Sequence, residues 1–272
     1  MEHNPKVFSS DKFALEQVAS LSLFIYPDFL MVFAKDKNQT NLCIHHYSLK
    51  DWNGLGTLLA SDSLTKQDVP AIAYVHQKEF LLIPGVVFHQ GKELTYFKEL
   101  SDVPKHPYFF STGVDSNNIQ LVSFITQKLH EQLADVFSDL AIYHGASSFL
   151  SYVFKERFNL IGQEIWVNLF GKHLYLAGFT DQELIVFNQF EVASKEEVLK
   201  YLLIGLHTLH HDRNHARITF FGSSESMGIS ESWVKEYVGH VRLMDPAANQ
   251  NYAAGFVKKN LPPIFEAYWQ YL

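Results

Sequence analysis

One pattern of short apolar runs occurs twice in this chain, and that repeat limits its fold more than any single motif does. Leu21–Tyr26, Phe29–Ala34 and Leu42–Tyr47 are three such runs, separated by Pro27-Asp28 and by the polar stretch 35–40. Apolar runs of this length, closed by turn-forming residues, read as strands of an antiparallel meander. Ile165–Phe170, His173–Phe179 and Leu184–Phe190 restate the arrangement, with turns at Gly171-Lys172 and Thr180–Gln182. A shift of 167 − 23 = 144 lays Leu23 on Val167, Ile25 on Leu169, Pro27 on Gly171 and Leu30 on Leu174. Closing a two-residue gap then lays Leu42 on Leu184. Fixed-period self-similarity marks duplicated architecture even where few identities survive.

Each copy continues into a helix and a fourth strand. Ser194 and Glu197 form a Ser-x-x-Glu capping box, and Val198, Leu199, Leu202, Leu203, Leu206 and Leu209 follow at helical spacing. Asp51–Ala60 is the counterpart, weakened by Gly54 and Gly56. The fourth strands are Ala71–Val75 and Arg217–Phe221, which begin 71 − 21 = 50 and 217 − 165 = 52 residues after the first. Between the copies, Phe80–Pro84 reads as extending or pairing with the fourth strand, Glu93–Leu100 as a short helix, and Val103–Asn118 as an insertion or linker. Ile119–Ile125, Thr126–Phe137, Leu140–Tyr143 and Ala146–Phe158 alternate strand, helix, strand, helix, which predicts parallel neighbours in one sheet. The second copy closes with a helix at Glu231–Val238, a strand at His240–Met244, a helix at Asn251–Lys259, and a last aromatic helix, Ile264–Leu272, after Pro262-Pro263.

Composition narrows the function classes. Hydrophobic residues make up 47% and charged residues 19%, enough to build a core and too little charge for a disordered chain. Lys and Arg number 22 against 29 Asp and Glu, a net charge of −7, which is no footprint for nucleic acid or anionic lipid. Cys43 is the single cysteine, so an intrachain disulfide and a thiolate metal cage are both excluded. The start lacks the pattern of a signal peptide, and the longest apolar stretch, Leu21–Ala34, is broken by Pro27-Asp28. These features predict a cytoplasmic protein without a membrane span.

Three antiparallel strands, a helix, then a strand–helix–strand, stated twice, resembles the actin-like ATPase superfamily over about Leu21–Gly255. Within it the chain resembles the bacterial pilus-assembly and cell-division actin homologues, which insert a small subdomain where Phe80–Asn118 stands here. With Phe80–Pro84 and Tyr143-His144-Gly145, the whole is similar to a bacterial family catalogued as domain of unknown function 3822. The resemblance implies an α/β, duplicated actin-like (ribonuclease H-like) fold, with two mixed-sheet halves, helices on their faces and a cleft between them. The expected divisions are an N-terminal extension, 1–20, a first half, 21–158, with the insertion at about 80–118, and a second half, 163–272.

The same resemblance implies where a nucleotide would sit. The superfamily grips phosphates with two Gly-rich hairpin turns, usually carrying an Asp, because small residues let amides approach oxygen while the carboxylate organises Mg²⁺. The first turn here, Ile25-Tyr26-Pro27-Asp28-Phe29, has no glycine, lacks an amide hydrogen at Pro27, and has bulky flanks. The second places Asn168 where the Asp belongs, then Gly171 and Lys172. A third element, Phe221-Gly222-Ser223-Ser224, resembles in part the turn that holds adenosine, though a strand-to-helix turn capped by serine explains it as well. If a nucleotide binds, Asn168, Gly171, Lys172, Gly222, Ser223 and Ser224 are its residues. No catalytic residue and no cofactor are expected, with ATP and Mg²⁺ as the alternative.

Other chemistry is sparse. His207, His210 and His211, followed by Asp212 and His215, have spacing that a metal could use, but a polar helix terminus accounts for them and no metal is expected. Ser147 and Ser148 lack the Gly-x-Ser-x-Gly elbow, Asp135 and Asp139 read as a solvated face, and Cys43 as a buried thiol. A non-catalytic interaction or scaffold role then rests on aromatic surfaces. Tyr96, Phe97, Tyr108, Phe109 and Phe110 of the insertion and Phe265 and Trp269 of the C-terminus are the candidate anchors for an unidentified protein partner or a second copy.

Overall fold

The structure is a computed structural model that describes residues 4–98, 102–115, 118–256 and 263–271. The chain divides into two compact units, residues 1–147 with 250–260, and residues 148–249 with 261–272.

The first unit is built on β1 (Lys6–Ser9), β2 (Ser20–Ile25), β3 (Phe29–Lys35), β4 (Thr40–Ser48), β5 (Ala71–Val75) and β9 (Leu140–His144), in the order β1-β4-β3-β2-β5-β9. The meander is antiparallel, whereas β5 runs parallel to β2 and to β9. Residues 1–20 thus include an edge strand of this sheet. Helices α1 (Leu55–Ser61) and α3 (Gln127–Ala134) cover one face, joining Leu55, Leu58, Leu59, Leu129 and Leu133 to Leu23, Ile25, Val32 and Ala73 in one buried cluster. Thr126 accepts the Leu129 amide and caps α3.

The insertion differs from the expectation. Phe80–Pro84 is β6, and it pairs with β8 (Ile119–Thr126), not with the fourth strand. Pro107–Val114, expected within an insertion or linker, is the full strand β7, which pairs on the other side of β8. The resulting sheet, β6-β8-β7, is separate from the main one, so β8 and β9 are not neighbours. Alternation explains why: β8 sends Val122 and Phe124 into a small core with Ile83 and Phe97 of α2 (Glu93–Phe97), while Ile125 joins the main core.

The second unit has the sheet β12-β11-β10-β13-β14, from β10 (Gln163–Phe170), β11 (His173–Thr180), β12 (Glu183–Glu191), β13 (Arg217–Gly222) and β14 (His240–Leu243). Its hairpin has the register of the first: Leu21↔Ala34 and Ile25↔Leu30 become Ile165↔Gly178 and Leu169↔Leu174, each displaced by 144. α5 (Lys195–Thr208), capped by Ser194, and α6 (Glu231–Val234) cover the face that carries Ile165, Val167 and Leu169. The opposite face is aromatic. α4 (Ala146–Glu156) brings Phe149 and Tyr152 against Phe221 and Phe265.

Two helix expectations near the C-terminus fail. Asn251-Tyr252 is a short strand, β15, parallel to the start of β4, and residues 257–259 lie outside the described set. Within 264–271 only Phe265–Ala267 forms a 3-10 turn, and Leu272 is outside the described residues. Among the described residues no helix is long and apolar enough to cross a membrane.

Candidate functional site

Strand carboxyl ends in mixed α/β sheets are where ligands collect, because loops leave the sheet there in diverging directions. In the second unit that place is the end of β10 and β13, which run parallel with Leu169 opposite Gly222. Gly222 adopts φ +79°, and a Cβ there would lie 2.1 Å from the Leu169 carbonyl oxygen and 2.9 Å from Asn168 Oδ1. Only glycine lets the chain turn so tightly over β10. The Ser223 amide then donates to Leu169 O at 3.0 Å, as does its hydroxyl at 3.2 Å. Asn168 is 1% exposed, and neither its Oδ1 nor its Nδ2 has a hydrogen-bond partner. Asn168, Gly222 and Ser223 therefore meet.

The other residues of the set divide between two hollows. Gly222 and Ser224 line a recess of about 320 Å³ with Glu225, Leu243 and Asp245. Gly171 and Lys172 line a more open hollow of about 540 Å³ with Ser194, Lys195 and Met227. Two amides around the start of α5 are already used there, since Ser194 Oγ accepts from Glu197 N and Glu197 Oε2 from Ala193 N at 2.6 Å.

The corresponding place in the first unit is packed solid. Tyr26 is fully buried between Phe29, whose ring centre lies 4.0 Å away, and His76, at 3.8 Å with the planes 15° apart. The Tyr26 amide donates to Phe29 O, closing the turn, and Trp52 Nε1 donates to Tyr26 O at 2.8 Å. Gly145 admits the stack, because a Cβ there would lie 2.3 Å from the His76 ring. Beside it His144 is fully buried, donating from Nε2 to Gln77 O at 2.7 Å and accepting the Ala146 amide at Nδ1. Burial pushes its imidazole down to about 4, against the Gln77 carbonyl, which raises it. Asp28 is exposed at the turn. Sequence reasoning missed His76 and His144, whose signal was a pair of histidines ending two parallel strands, one of them followed by glycine.

The remaining candidates are dispersed. Among the described residues no three of His, Cys, Asp and Glu could hold a metal. His207 and His210 are exposed, His215 pairs with Asp212 at 2.8 Å, and His211 Nε2 lies 3.3 Å from Thr180 Oγ1. Ser147 and Ser148 are buried, and Ser148 Oγ accepts the Tyr271 amide. Cys43 is buried, which pushes its thiol up to about 12 with help from Asp62. The aromatic anchors are largely interior: Phe97, Phe110, Phe265 and Trp269 are all buried, Tyr108 stacks on His130 at 3.7 Å, and Phe109 packs on Phe97. Tyr96 is half-buried and its hydroxyl donates to Val87 O. These side chains hold cores together, with Tyr96, Tyr108 and Phe109 half-buried and the other four buried.

Comparison with known proteins supports the fold. No curated protein matches this chain. A Bacteroides thetaiotaomicron protein with actin-like ATPase fold and unknown function is similar in structure, at a TM-score of 0.74 and 14% identity, over 86% of this chain and 93% of that one. The PilM–PilN type IV pilus biogenesis complex contains a chain similar at a TM-score of 0.59 and 10% identity, over 92% and 96%. Both likenesses carry the actin-like fold alone. The model of the family described as Protein of unknown function (DUF3822) matches residues 16–241, and with that match the chain belongs to the DUF3822 family and carries it on an actin-like ATPase fold.

Proposed function

We propose that this protein is a non-catalytic binding protein of the cytoplasm, using an actin-like frame whose nucleotide site has been given up. The observation that carries the reading is the Phe29–Tyr26–His76 stack, buried and locked against Gly145. It fills the turn at which the superfamily would hold phosphate, and Pro27 removes one of the amides that would do so. A triphosphate with Mg²⁺ does not fit such a turn, which offers no glycine and no buried carboxylate. Partner binding draws support from the pilus protein, a similar chain known in complex with another protein.

A second reading, ATP binding by the second unit, is favoured by one feature. Asn168 holds two unpartnered polar atoms beside Gly222, and burying such atoms costs about 1–3 kcal/mol unless something satisfies them. Titration calorimetry with Mg-ATP separates the two. The expected result is no measurable heat of binding at millimolar nucleotide. A micromolar dissociation constant, lost on Asn168→Leu, would establish the second reading instead.

A further inference from the structure

Every open sheet ends in strands whose outer backbone is unpaired, and proteins blunt such edges with short strands, proline or lysine. The edges here are blunted except for one. β1, β9 and β14 have four or five residues, and β6 and β7 carry Pro84 and Pro107. β12 has nine residues and no Pro, Gly, Lys or Arg, and among the described strands only β11 pairs with it. A bulge at Ile185 leaves Val186–Glu191 as its straight run.

The Val192 amide donates to Lys172 O at 2.7 Å, which fixes the phase of the ladder between β11 and β12. Phe187, Gln189 and Glu191 therefore turn their backbone groups away from β11. The Gln189 amide agrees, since it donates at 2.8 Å to Oδ1 of the exposed Asn188. Gln189 itself is 8% exposed, and its Oε1 is buried with no hydrogen-bond partner. Aromatic rings flank the run on both faces: Phe190 stacks on Tyr201 of α5 at 4.1 Å, and Phe187 on Tyr175 at 5.6 Å. A strand laid along this edge gains backbone bonds at alternate residues and apolar contact on either face.

Charge identifies the occupant. A second copy would pair antiparallel about a two-fold axis. Centred on Phe187, that pairing brings Glu183 toward Glu191 twice, and centred on Asn188 or Gln189 it sets Glu191 against Ile185 or Phe187. None of these suits a homodimer. We propose that β12 is the docking edge for an extended segment of another protein, which adds a sixth strand to the five-stranded sheet. The segment alternates β-branched side chains and carries Lys or Arg where it passes the two glutamates. This rests on the reading of the chain as a binding protein and names the chemistry of its partner. Mg-ATP titration reads other residues, so the two can fail separately.

The probe is a fluorescein-labelled peptide, Lys-Val-Thr-Val-Thr-Val-Lys, titrated with the full chain and followed by anisotropy. It is expected to bind at about 10–100 μM, the class of small transient contacts, and to slow hydrogen exchange at the Gln189 and Glu191 amides. The same peptide with Glu ends should bind about fivefold more weakly, and Glu191→Lys should reverse that order. Gln189→Pro removes an outward amide without breaking a bond to β11, so circular dichroism should stay unchanged while binding weakens about tenfold. The peptide N-methylated throughout keeps its side chains and charges and should not bind, a control that no misfolded variant can imitate. No binding at about 1 mM, binding without protection of the β12 amides, or an N-methylated peptide that binds as well would overturn the proposal. So would protection of those amides in the free chain as its concentration rises, which would make the occupant a second copy.

Discussion

The imidazole of His144 shows how tightly the first unit's strand ends are closed. Its two ring nitrogens are both committed, one donating to Gln77 O and one accepting from Ala146 N, which fixes the neutral form. Folded, it stays neutral down to about 4, while in the unfolded chain it takes a proton near the ordinary 6.5. The sign follows directly. Stability from this group is full above about 6.5, falls as the pH drops toward about 4, and is level below, a total of roughly 3 kcal/mol at 1.36 per unit. Urea unfolding at pH 7, 6 and 5 should show His144→Gln losing about one proton's worth of that slope, about 1.4 kcal/mol per pH unit, relative to wild type. Equal slopes would mean that water reaches the ring. None of this was legible in the residue itself, because a histidine ending a strand looks the same whether it is solvated or sealed.

At the scale of elements, the duplicated hairpins were legible because alternation and turn residues are local signals. The 144-residue displacement read from Leu23 and Val167 is the displacement of the pairing register itself. Elements whose partners are remote were misread. Phe80–Pro84 follows β5 after a short turn and resembles a hairpin arm, but its partner is β8, which nothing local announces. Tyr252 and Phe256 have helical i, i+4 spacing and their rings do meet, at 5.0 Å, yet Asn41 holds the backbone extended by accepting the Ala253 amide and donating to Asn251 O. In the candidate site the meaning of Gly222 was legible as a Gly-Ser-Ser turn, whereas its need for glycine was not. Gly222→Ala is expected to cost at least about 2 kcal/mol, combining a positive φ with a clash against Leu169 O. Gly228→Ala is the control: φ is +70°, nothing lies within 4 Å of the new Cβ, and the expected cost is about 1 kcal/mol. Equal losses in thermal melts would show that the crowding at Leu169 relaxes freely.

Across the whole chain, the last two dozen residues contribute to both compact units, each in a different way. Residues 250–253 add to the first unit, where β15 lies along β4 and the fully buried Asn41 amide bonds Asn251 O at 2.9 Å and Gln250 Oε1 at 3.3 Å. Residues 264–271 complete the second, where Phe265 meets the rings of Phe149, Tyr152 and Phe221 at 5.3–5.6 Å. Trp269 closes the same cluster, donating from Nε1 to Ser151 Oγ at 3.1 Å beneath the Lys155 ammonium. Large side chains removed from such a core cost about 3–5 kcal/mol, a large part of a domain's net stability of about 5–15. Phe265→Ala is therefore expected to lower the urea midpoint by that energy without changing the fold. A chain ending at Asn249 loses the ring cluster's lid and β15 together, so Phe149, Tyr152 and Phe221 become exposed. It should bind the hydrophobic dye ANS and melt well below wild type, and restoring residues 250–256 alone should not recover the loss, because those residues serve the other unit. If the shortened chain kept the wild-type midpoint, the aromatic face would be stable uncovered, and the C-terminal segment would be free to act as the exposed anchor that its sequence suggests.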